Sequence, residues 1–353
     1  MRQLATVQEI TAIKEIEGAD AIELAFIRGW QCVAKKGEFI QGDLCVYFEV
    51  DSFLPVDARY EFLRRTSYRN NEFMGEGFRI KTMTMRGELS QGLALPLSAF
   101  PEILPAQYTD AKILPTPGYD VTEILGVRKW ELPETLGNMG LEIGEKPFGI
   151  PTTDETRLQS MPEFIEAFKG KPYYITTKMD GTSCTVYIKD GKIGVCGRNL
   201  EYKEDGATSA MWAWVHKHGF KEKLLALDED IAIQGEFCGA GIQKNRLKLI
   251  EPNLYVFDIV ALFEGGGGKK TGLEAMRDYC ARLGLDMVPV EETGDNFNYT
   301  LPELLEKARG KYASGMDKEG IVVRTQEPEF NYDINHKMSF KIINNDFLKK
   351  EKE

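Results

Sequence analysis

The sequence predicts an α+β protein with a small β-barrel at its N-terminal end and a larger domain of strands and helices behind it. The 353 residues exceed one ordinary domain, because domains average roughly 150 residues. Short apolar runs separated by glycine and charge fill about the first hundred positions, as they do in small barrels. Beyond about residue 156, strand-like and helix-like segments alternate, which indicates a second domain of mixed structure.

Five strand-like runs predict the N-terminal barrel. They occupy residues 21–27, 29–34, 44–50, 78–83 and 92–96, where apolar residues concentrate between turn signals. A five-stranded OB-type barrel fits this count, and an SH3-like barrel fits it almost as well. We assign residues 1–115 to an OB-type domain.

A proline-rich segment follows the barrel. Seven prolines lie between residues 101 and 155, and this density argues for an extended connection rather than a packed unit. The sequence therefore predicts a linker at 116–155, with a short helix within 121–130. The second domain is expected at 156–353.

The second domain is predicted to contain six strands and three helices. The strands are expected at 173–177, 185–188, 230–234, 254–260, 320–324 and 338–343. The helices are expected at 209–227, 273–283 and 301–312. The glycines at 265–268 suggest a phosphate cradle, but Lys270 stands where a P-loop has Ser or Thr, so we assign them to a surface loop.

Charge and cysteine content exclude several classes of protein. A net charge of −11 excludes a generally basic nucleic-acid coat, although local patches can still bind nucleic acid. Six scattered cysteines and three histidines, without C-x-x-C spacing, argue against a zinc site and a disulfide framework. We see no signal peptide and no membrane span, so we expect a cytoplasmic protein with reduced thiols and no membrane partner.

A candidate nucleophile lies at the end of a predicted strand. Lys178 opens the sequence Lys-Met-Asp-Gly directly after the run at 173–177, and Asp180 stands two residues on. A free lysine has a pKa near about 10.4 and is inert at neutral pH unless burial or a nearby cation lowers that pKa. The pattern alone is weak, because it also describes a salt-bridged lysine before a turn.

Further charged residues recur beside later strands in a definite order. Glu236 and Glu319 would join Asp180 as carboxylates that can hold a hard divalent cation, directly or through water. Arg198 and Lys341 would supply positive charge for phosphates. Each residue singly suits a solvated strand end. Their joint order instead predicts a nucleotide site.

This ordered set resembles the six collinear motifs of the covalent nucleotidyltransferases, which include polynucleotide ligases and mRNA capping enzymes. The resemblance covers about residues 157–343. It implies an adenylyltransferase domain of ATP-grasp-like antiparallel sheets with helices. It also implies that Lys178 attacks the α-phosphate of a nucleotide and forms a covalent adduct.

The order of the domains narrows the resemblance. About ten residues follow the last motif, so we expect no OB domain there, and the predicted barrel lies at the N-terminal side instead. This order, with Thr156-Arg157-Leu158-Gln159 and Ser339-Phe340-Lys341, resembles the nick-sealing ATP-dependent RNA ligases of family 5. The resemblance implies sealing of 3′-hydroxyl/5′-phosphate nicks through a lysyl-AMP intermediate and an adenylylated 5′ end, with RNA repair as the role.

The resemblance also implies roles for individual residues. Lys178 becomes adenylylated, and Lys341 is a second catalytic residue that acts on the α-phosphate. Phe257 stacks on the adenine. Three carboxylates orient Mg²⁺ or Mn²⁺, which helps to keep the nucleophile deprotonated: Asp180, Glu236 and Glu319. The residues implied to bind ATP are Arg157, Lys178, Arg198, Glu236, Phe257, Glu319 and Lys341.

One position departs from the family pattern. Many relatives have a second lysine two residues before Lys341, where this chain has Ser339. Lys337 could replace it only if its strand runs in regular register, because side chains alternate between the faces of a strand. The implied partners are ATP and a nicked duplex with an RNA 3′-hydroxyl end, and the implied state is a monomer.

Two alternatives remain open at this point. The first is a DNA ligase or a capping-type guanylyltransferase. The second is a non-catalytic RNA-binding protein built on the barrel, since OB domains bind single strands through basic and aromatic residues. The basic residues available for this second role are Lys35, Lys36, Arg64, Arg65, Arg69 and Arg79.

Overall fold

The computed structural model of the chain describes residues 3–103, 115–131, 142–206 and 208–350. The chain divides into two units. The first comprises Met1–Pro133, Gln159–Pro162 and Leu348–Glu353, and the second comprises Glu134–Leu158 and Glu163–Phe347. The sequence-based boundaries at 115 and 155, and the linker between them, stay a prediction.

The first unit is built from short antiparallel strands. In chain order they are β1 Ala5–Glu9, β2 Ala12–Glu15, β3 Ile22–Ile27, β4 Trp30–Lys35, β5 Leu44–Phe48, β6 Ser52–Leu54, β7 Tyr68–Asn71, β8 Gly75–Arg79, β9 Met83–Met85, β10 Glu88–Ser90, β11 Leu93–Pro96 and β12 Arg128–Lys129. Their sheet orders are β1-β5-β11, β2-β3-β4, β12-β6-β8-β7 and β10-β9. Among the described residues these ladders do not close into a barrel, so the predicted barrel is corrected to a set of open sheets.

Short helical turns and an aromatic core complete the first unit. The helix α1 spans Arg64–Ser67, and 3-10 turns span Ala58–Leu63, Leu97–Ala99 and Pro101–Ile103. Buried rings pack together here at centroid separations of 5.8 to 6.5 Å: Phe48, Tyr60, Phe78 and Phe100. The helix predicted within 121–130 is wrong, because turns at 122–126 lead into the strand β12, which pairs with β6.

The second unit contains two large antiparallel sheets. Its strands are β13 Glu142–Glu145, β14 Tyr173–Lys178, β15 Thr182–Lys189, β16 Lys192–Cys196, β17 Leu200–Tyr202, β18 Ile231–Cys238, β19 Asn253–Leu262, β20 Gly268–Lys270, β21 Asp286–Met287, β22 Val290–Gly294, β23 Gly320–Thr325, β24 Phe330–Asn331, β25 His336–Lys337 and β26 Ser339–Ile343. One sheet has the order β13-β17-β16-β15-β18-β19-β20, with β21 beside β19, and the other has the order β22-β14-β23-β26.

The structure does not support the ATP-grasp-like description of this unit. In the ranges that the structure describes, the unit has those two sheets and the small β24-β25 pair, and the strand pairs there are antiparallel except β19 with β21. The coarser prediction, α+β with mostly antiparallel sheets, is confirmed.

Three helices cover the longer sheet with apolar side chains: α3 Ala210–Lys217, α4 Phe220–Leu225 and α5 Leu273–Leu283. The rings of α2 Phe164–Phe168 instead pack on Phe340 of β26, and the remaining helices are α6 Leu301–Lys307 and α7 Asn345–Lys350. Trp212 and Trp214 of α3 are buried against the longer sheet, so they act as core residues. The single helix predicted at 209–227 is two helices, because Gly219 adopts a left-handed conformation (φ 57°) that ends the first.

The sheet β22-β14-β23-β26 positions the predicted motifs. The strand β14 pairs with β23 from Tyr173↔Thr325 to Lys178↔Gly320, and β23 pairs with β26 so that Val322 lies opposite Lys341. Tyrosine, isoleucine and threonine favour the extended backbone of β14. Lys178 therefore ends one strand while Glu319 stands just before its neighbour.

Two further features concern the thiols and the lengths of the helices. All six cysteines are buried and unpaired. In the described part of the chain, every helix is too short or too polar to cross a membrane.

Gly320 allows β23 and β26 to approach closely beside this strand end. Its φ is 155°, and a β-carbon there would overlap the carbonyl oxygen of Ile342. We expect Gly320→Ala to lower the free energy of unfolding by about 3 kcal/mol, since the backbone oxygen must move. Gly170→Ala, at a positive φ in open space, should cost only about 1 kcal/mol. Urea unfolding of both variants checks this, and equal losses would contradict it.

Candidate active site

A cavity of about 200 Å³ in the second unit brings together five of the eight predicted site residues. These five line its wall: Lys178, Arg198, Glu236, Phe257 and Lys341. The other three, Arg157, Asp180 and Glu319, are not among its lining residues, and each acts by its charge on a residue that lines it. Threonine, valine and methionine side chains fill much of the remaining surface.

Lys178 forms an ion pair with Glu319. Its Nζ donates to Glu319 Oε2 over 2.6 Å, and the two side chains are 21% and 19% exposed. The alternative of a salt-bridged lysine therefore holds in part, because Lys178 does form a salt bridge. The partner is one of the predicted site carboxylates, and Lys178 also faces the cavity.

The carboxylates around Lys178 set its charge. Burial lowers the pKa of Lys178, but Glu319, Glu236 and Asp180 together outweigh burial and raise that pKa above the ordinary value. Lys178 is therefore an ammonium in this arrangement. The negative field around it would have to be offset before the amine could act as a nucleophile.

Glu236 is half-buried on β18, and its pKa lies near neutrality. Burial, together with the charges of Glu319 and Asp180, raises that pKa to about 7 against the opposing effects of Lys178 and the Gly181 amide. The backbone of Gly181 passes so close that a β-carbon there would lie 3.0 Å from Glu236 Cγ and 2.5 Å from the Phe237 carbonyl. Gly181, the glycine of the Lys-Met-Asp-Gly sequence, therefore allows β18 to pack close to the segment that carries Lys178.

Asp180 is held by an arginine that the sequence did not single out. Arg246 Nη1 lies 3.0 Å from Asp180 Oδ2, and its guanidinium also stacks over Phe347 at 4.3 Å. No group of three His, Cys, Asp or Glu side chains in the described ranges is arranged to ligate a metal directly. The hard oxygens of Asp180, Glu236 and Glu319 nevertheless converge on Lys178, which fits a divalent cation held through water.

Lys341 and Arg157 are joined through their backbones. The two residues form an isolated parallel bridge, and the Lys341 amide donates to the Thr156 carbonyl over 2.8 Å. Burial, together with charge repulsion from Lys178 and Arg157, lowers the pKa of Lys341 to about 8. Lys178 and Arg157 therefore lie close enough to Lys341 to repel it, and such a concentration of positive charge is the electrostatic environment that polyphosphates favour.

Arg198 and Phe257 complete the predicted set at the cavity wall. Arg198 Nη2 lies 2.6 Å from Asp154 Oδ2, in a partly exposed pair. The half-buried ring of Phe257 has the guanidinium of Arg324 5.7 Å from its centroid. A flat ring in a cavity wall is a surface on which a nucleobase can stack.

A buried ion pair in the same cavity wall as Phe257 was missed from the sequence. Glu155 is 6% exposed, and its Oε1 lies 3.1 Å from Arg324 Nη2. Ser339 Oγ donates to Glu155 Oε2 over 2.6 Å, and Lys337 Nζ lies 3.0 Å from the same oxygen. Ser339 and Lys337 thus both bind the carboxylate of Glu155. Lys337 is not one of the residues that line the cavity. The sequence offered no signal for this, because Glu155 lies in the proline-rich segment.

We expect the Glu155 carboxylate to stabilise the second unit in a pH-dependent way. Burial opposes ionisation, but Arg324, Lys337 and Lys270 outweigh it and lower the pKa of Glu155 to about 2. Its stabilisation is present above pH 4.5 and is lost as pH falls towards 2. Glu155→Gln should therefore cost about 3 kcal/mol at pH 7 and clearly less at pH 3.

Urea unfolding at the two pH values measures this difference. Glu251→Gln, which removes the exposed partner of Lys217, should change stability little at either pH. An equal cost of Glu155→Gln at both pH values would contradict the assigned charge.

Comparisons with known proteins agree with this geometry. A family model described as an OB-fold domain matches residues 4–97, and a model described as RNA ligase matches residues 171–343. The OB-type prediction for the N-terminal part is therefore confirmed at the level of the family, although its sheets stay open. No curated protein sequence matches the chain.

Solved structures of an RNA ligase from Naegleria gruberi resemble the whole chain. The form with pyrophosphate is 37% identical, with 99% of each chain covered and a TM-score of 0.84. A variant with ATP and Mn is 37% identical, with 100% of each chain covered and a TM-score of 0.85. A variant with AMP and Mn is 36% identical, with 99% of each chain covered and a TM-score of 0.85. Since this identity extends over essentially the full length, the chain belongs to the RNA ligases.

Proposed function

We propose that this RNA ligase uses ATP to seal nicks with a 3′-hydroxyl and a 5′-phosphate, through an adenylylated Lys178. The observation that carries the proposal is the position of Lys178 at the end of β14, facing the cavity while paired with Glu319. The relatives that hold ATP, AMP with Mn, or pyrophosphate support the nucleotide and the leaving group. RNA repair is the proposed role.

In the first step the Lys178 amine attacks the α-phosphorus of ATP. A nitrogen–phosphorus bond forms, the bond from the α-phosphorus to the bridging oxygen breaks, and pyrophosphate leaves. Lys341 is the cation placed to stabilise the negative charge on the α-phosphate as the transition state forms. Phosphates would also raise its pKa again from about 8, so Lys341 would be fully charged in the complex.

Lys178 must lose a proton before it attacks. Asp180, Glu236 and Glu319 are the residues that would hold Mg²⁺ or Mn²⁺, and they also raise the pKa of Lys178. When bound, the cation would supply the positive charge that offsets these carboxylates and draws charge from the α-phosphate. The ion pair between Glu319 and Lys178 would break when the Glu319 carboxylate helps to hold the cation instead.

Phe257, Arg324 and Arg198 are placed to hold the nucleoside. The ring of Phe257 would stack on the adenine. The Nε of Arg324 is buried and has no hydrogen-bond partner among the described residues, so it is available to an acceptor on the nucleotide. Arg198, at the more exposed part of the wall, and Arg157, beside Lys341, are placed for ribose or phosphate oxygens.

Two further transfers complete the cycle. The 5′-phosphate of the nick attacks the phosphorus of the lysyl-AMP. The bond from that phosphorus to the Lys178 nitrogen breaks, which frees the lysine. The 3′-hydroxyl of the RNA strand then attacks the activated 5′-phosphate, and AMP leaves. Each step is an in-line transfer at phosphorus, in which positioning and charge stabilisation provide most of the catalysis.

We expect Lys178→Ala to abolish the covalent AMP adduct because it removes the nucleophile. The measurement is the intact mass of the full chain after incubation with ATP and Mg²⁺ or Mn²⁺. Lys189→Ala is the matched control, because Lys189 is also buried and paired with a carboxylate, Asp230, at 2.7 Å. An adduct on the Lys178→Ala protein at the wild-type level would refute the assignment.

We expect sealing to require ATP and an RNA 3′-hydroxyl. The wild-type chain is offered ATP or GTP, then nicked duplexes that end in a ribose or a deoxyribose 3′-hydroxyl, and ligated product is measured by denaturing gel. Sealing with ATP at the RNA-ended nick, well above the DNA-ended nick, supports the proposal. An adduct formed only with GTP would favour a guanylyltransferase, and equal sealing of both nicks would favour a DNA ligase.

A further inference from the structure

We propose that Tyr312 is a positioning residue for lysine adenylylation, whose hydroxyl fixes the main chain of Lys178 relative to that of Glu319. This inference rests on the proposed function, in which those two residues are the nucleophile and a metal-orienting carboxylate. Tyr312 itself is not one of the residues that line the cavity.

One hydroxyl joins the two catalytic segments. Tyr312 Oη donates to the carbonyl oxygen of Lys178 over 2.7 Å and accepts from the amide of Glu319 over 3.0 Å. A phenol hydroxyl has one proton to donate and lone pairs to accept, so both bonds can exist at once. Both main-chain groups are thereby satisfied by the same side-chain atom.

This bridge lies where the sheet stops restraining the two residues. The ladder between β14 and β23 ends at the pair Lys178↔Gly320, so Glu319 stands outside it. The side chains of Lys178 and Glu319 extend from that end of the ladder, and Lys178 Nζ lies 2.6 Å from Glu319 Oε2. A small shift of either backbone would change the separation of their charged groups, and misplacement by about 1 Å can cost about 10²-fold in rate.

Tyr312 is itself rigidly held. It is 8% exposed, and its ring packs with the buried side chains of Met179, Cys238 and Val288. Its own amide donates to the Met316 carbonyl over 2.8 Å, and its carbonyl accepts from the Gly315 amide over 2.9 Å. Burial raises the pKa of its phenol, so the hydroxyl keeps its proton as a donor. A fixed ring therefore presents a fixed hydroxyl.

Other contacts hold the same segments without joining these two main chains. The buried Asn344 donates from its amide to the Glu319 carbonyl and from its side chain to the Lys318 carbonyl, each over 2.9 Å. Lys318 is in turn paired with Glu291 at 2.7 Å. These contacts keep the segment folded when the hydroxyl is removed, so the effect of the hydroxyl can be isolated.

The test is Tyr312→Phe, which keeps the ring and removes the bridge. We expect the rate constant of adenylylation at saturating ATP to fall about tenfold, with the half-saturating ATP concentration unchanged within twofold. The readouts are rapid-quench kinetics of the wild-type and variant full chains with ATP and Mn²⁺, and their thermal unfolding. Replacing Tyr312 with 4-aminophenylalanine restores a donor at that point and should recover most of the rate.

Tyr47→Phe is the matched control. Tyr47 is a buried tyrosine of the first unit whose hydroxyl donates to the Gln91 carbonyl over 2.6 Å. The melting temperature of Tyr47→Phe should fall by about as much as that of Tyr312→Phe, while its adenylylation rate should stay at the wild-type value. A wild-type rate for Tyr312→Phe overturns the inference, and so does a loss that Tyr47→Phe reproduces or that 4-aminophenylalanine fails to rescue. Absence of an adduct on the wild-type chain overturns the proposed function as well.

Discussion

The ion pair between Lys178 and Glu319 is the interaction on which the site depends. It forms where two neighbouring strands end, and it holds the proposed nucleophile in its charged, unreactive form. The same carboxylates that protect the ammonium are the proposed holders of the divalent cation. The same carboxylate oxygens would therefore keep Lys178 protonated in the free protein and hold the cation in the active complex. Lys178 would change from the first state to the second when the nucleotide and its metal bind.

A second constraint is the distribution of charge across the cavity. Lys341 and Arg157 place positive charge on one side, and Glu236 adds a carboxyl that titrates near pH 7. The repulsion among these cations is a cost that the folded chain carries without ligand. A bound polyphosphate would relieve it, so part of the binding free energy would come from strain already present in the protein.

The sequence predicted much of the site but less of the fold around it. Lys178, Glu236 and Lys341 could be named because charged residues recur in a definite order beside the predicted strands, whereas Phe257 was implied only by the family resemblance. The predicted barrel does not close among the described residues, because closure depends on which strand edges meet, and strand propensity does not specify that. The division of 209–227 at Gly219 depends on a left-handed backbone that the helical pattern did not reveal. Glu155, Arg246 and Tyr312 were missed, since each acts through a contact distant in the chain.

The distance along the chain between the two halves of the ion pair has a consequence for biosynthesis. Lys178 and Glu319 are 141 residues apart, and their strands are adjacent in one sheet. Closing so long a loop is entropically costly and slow compared with forming local hairpins. A nascent chain could therefore not form this ion pair, and would lack catalytic competence, until the strand after Glu319 had left the ribosome.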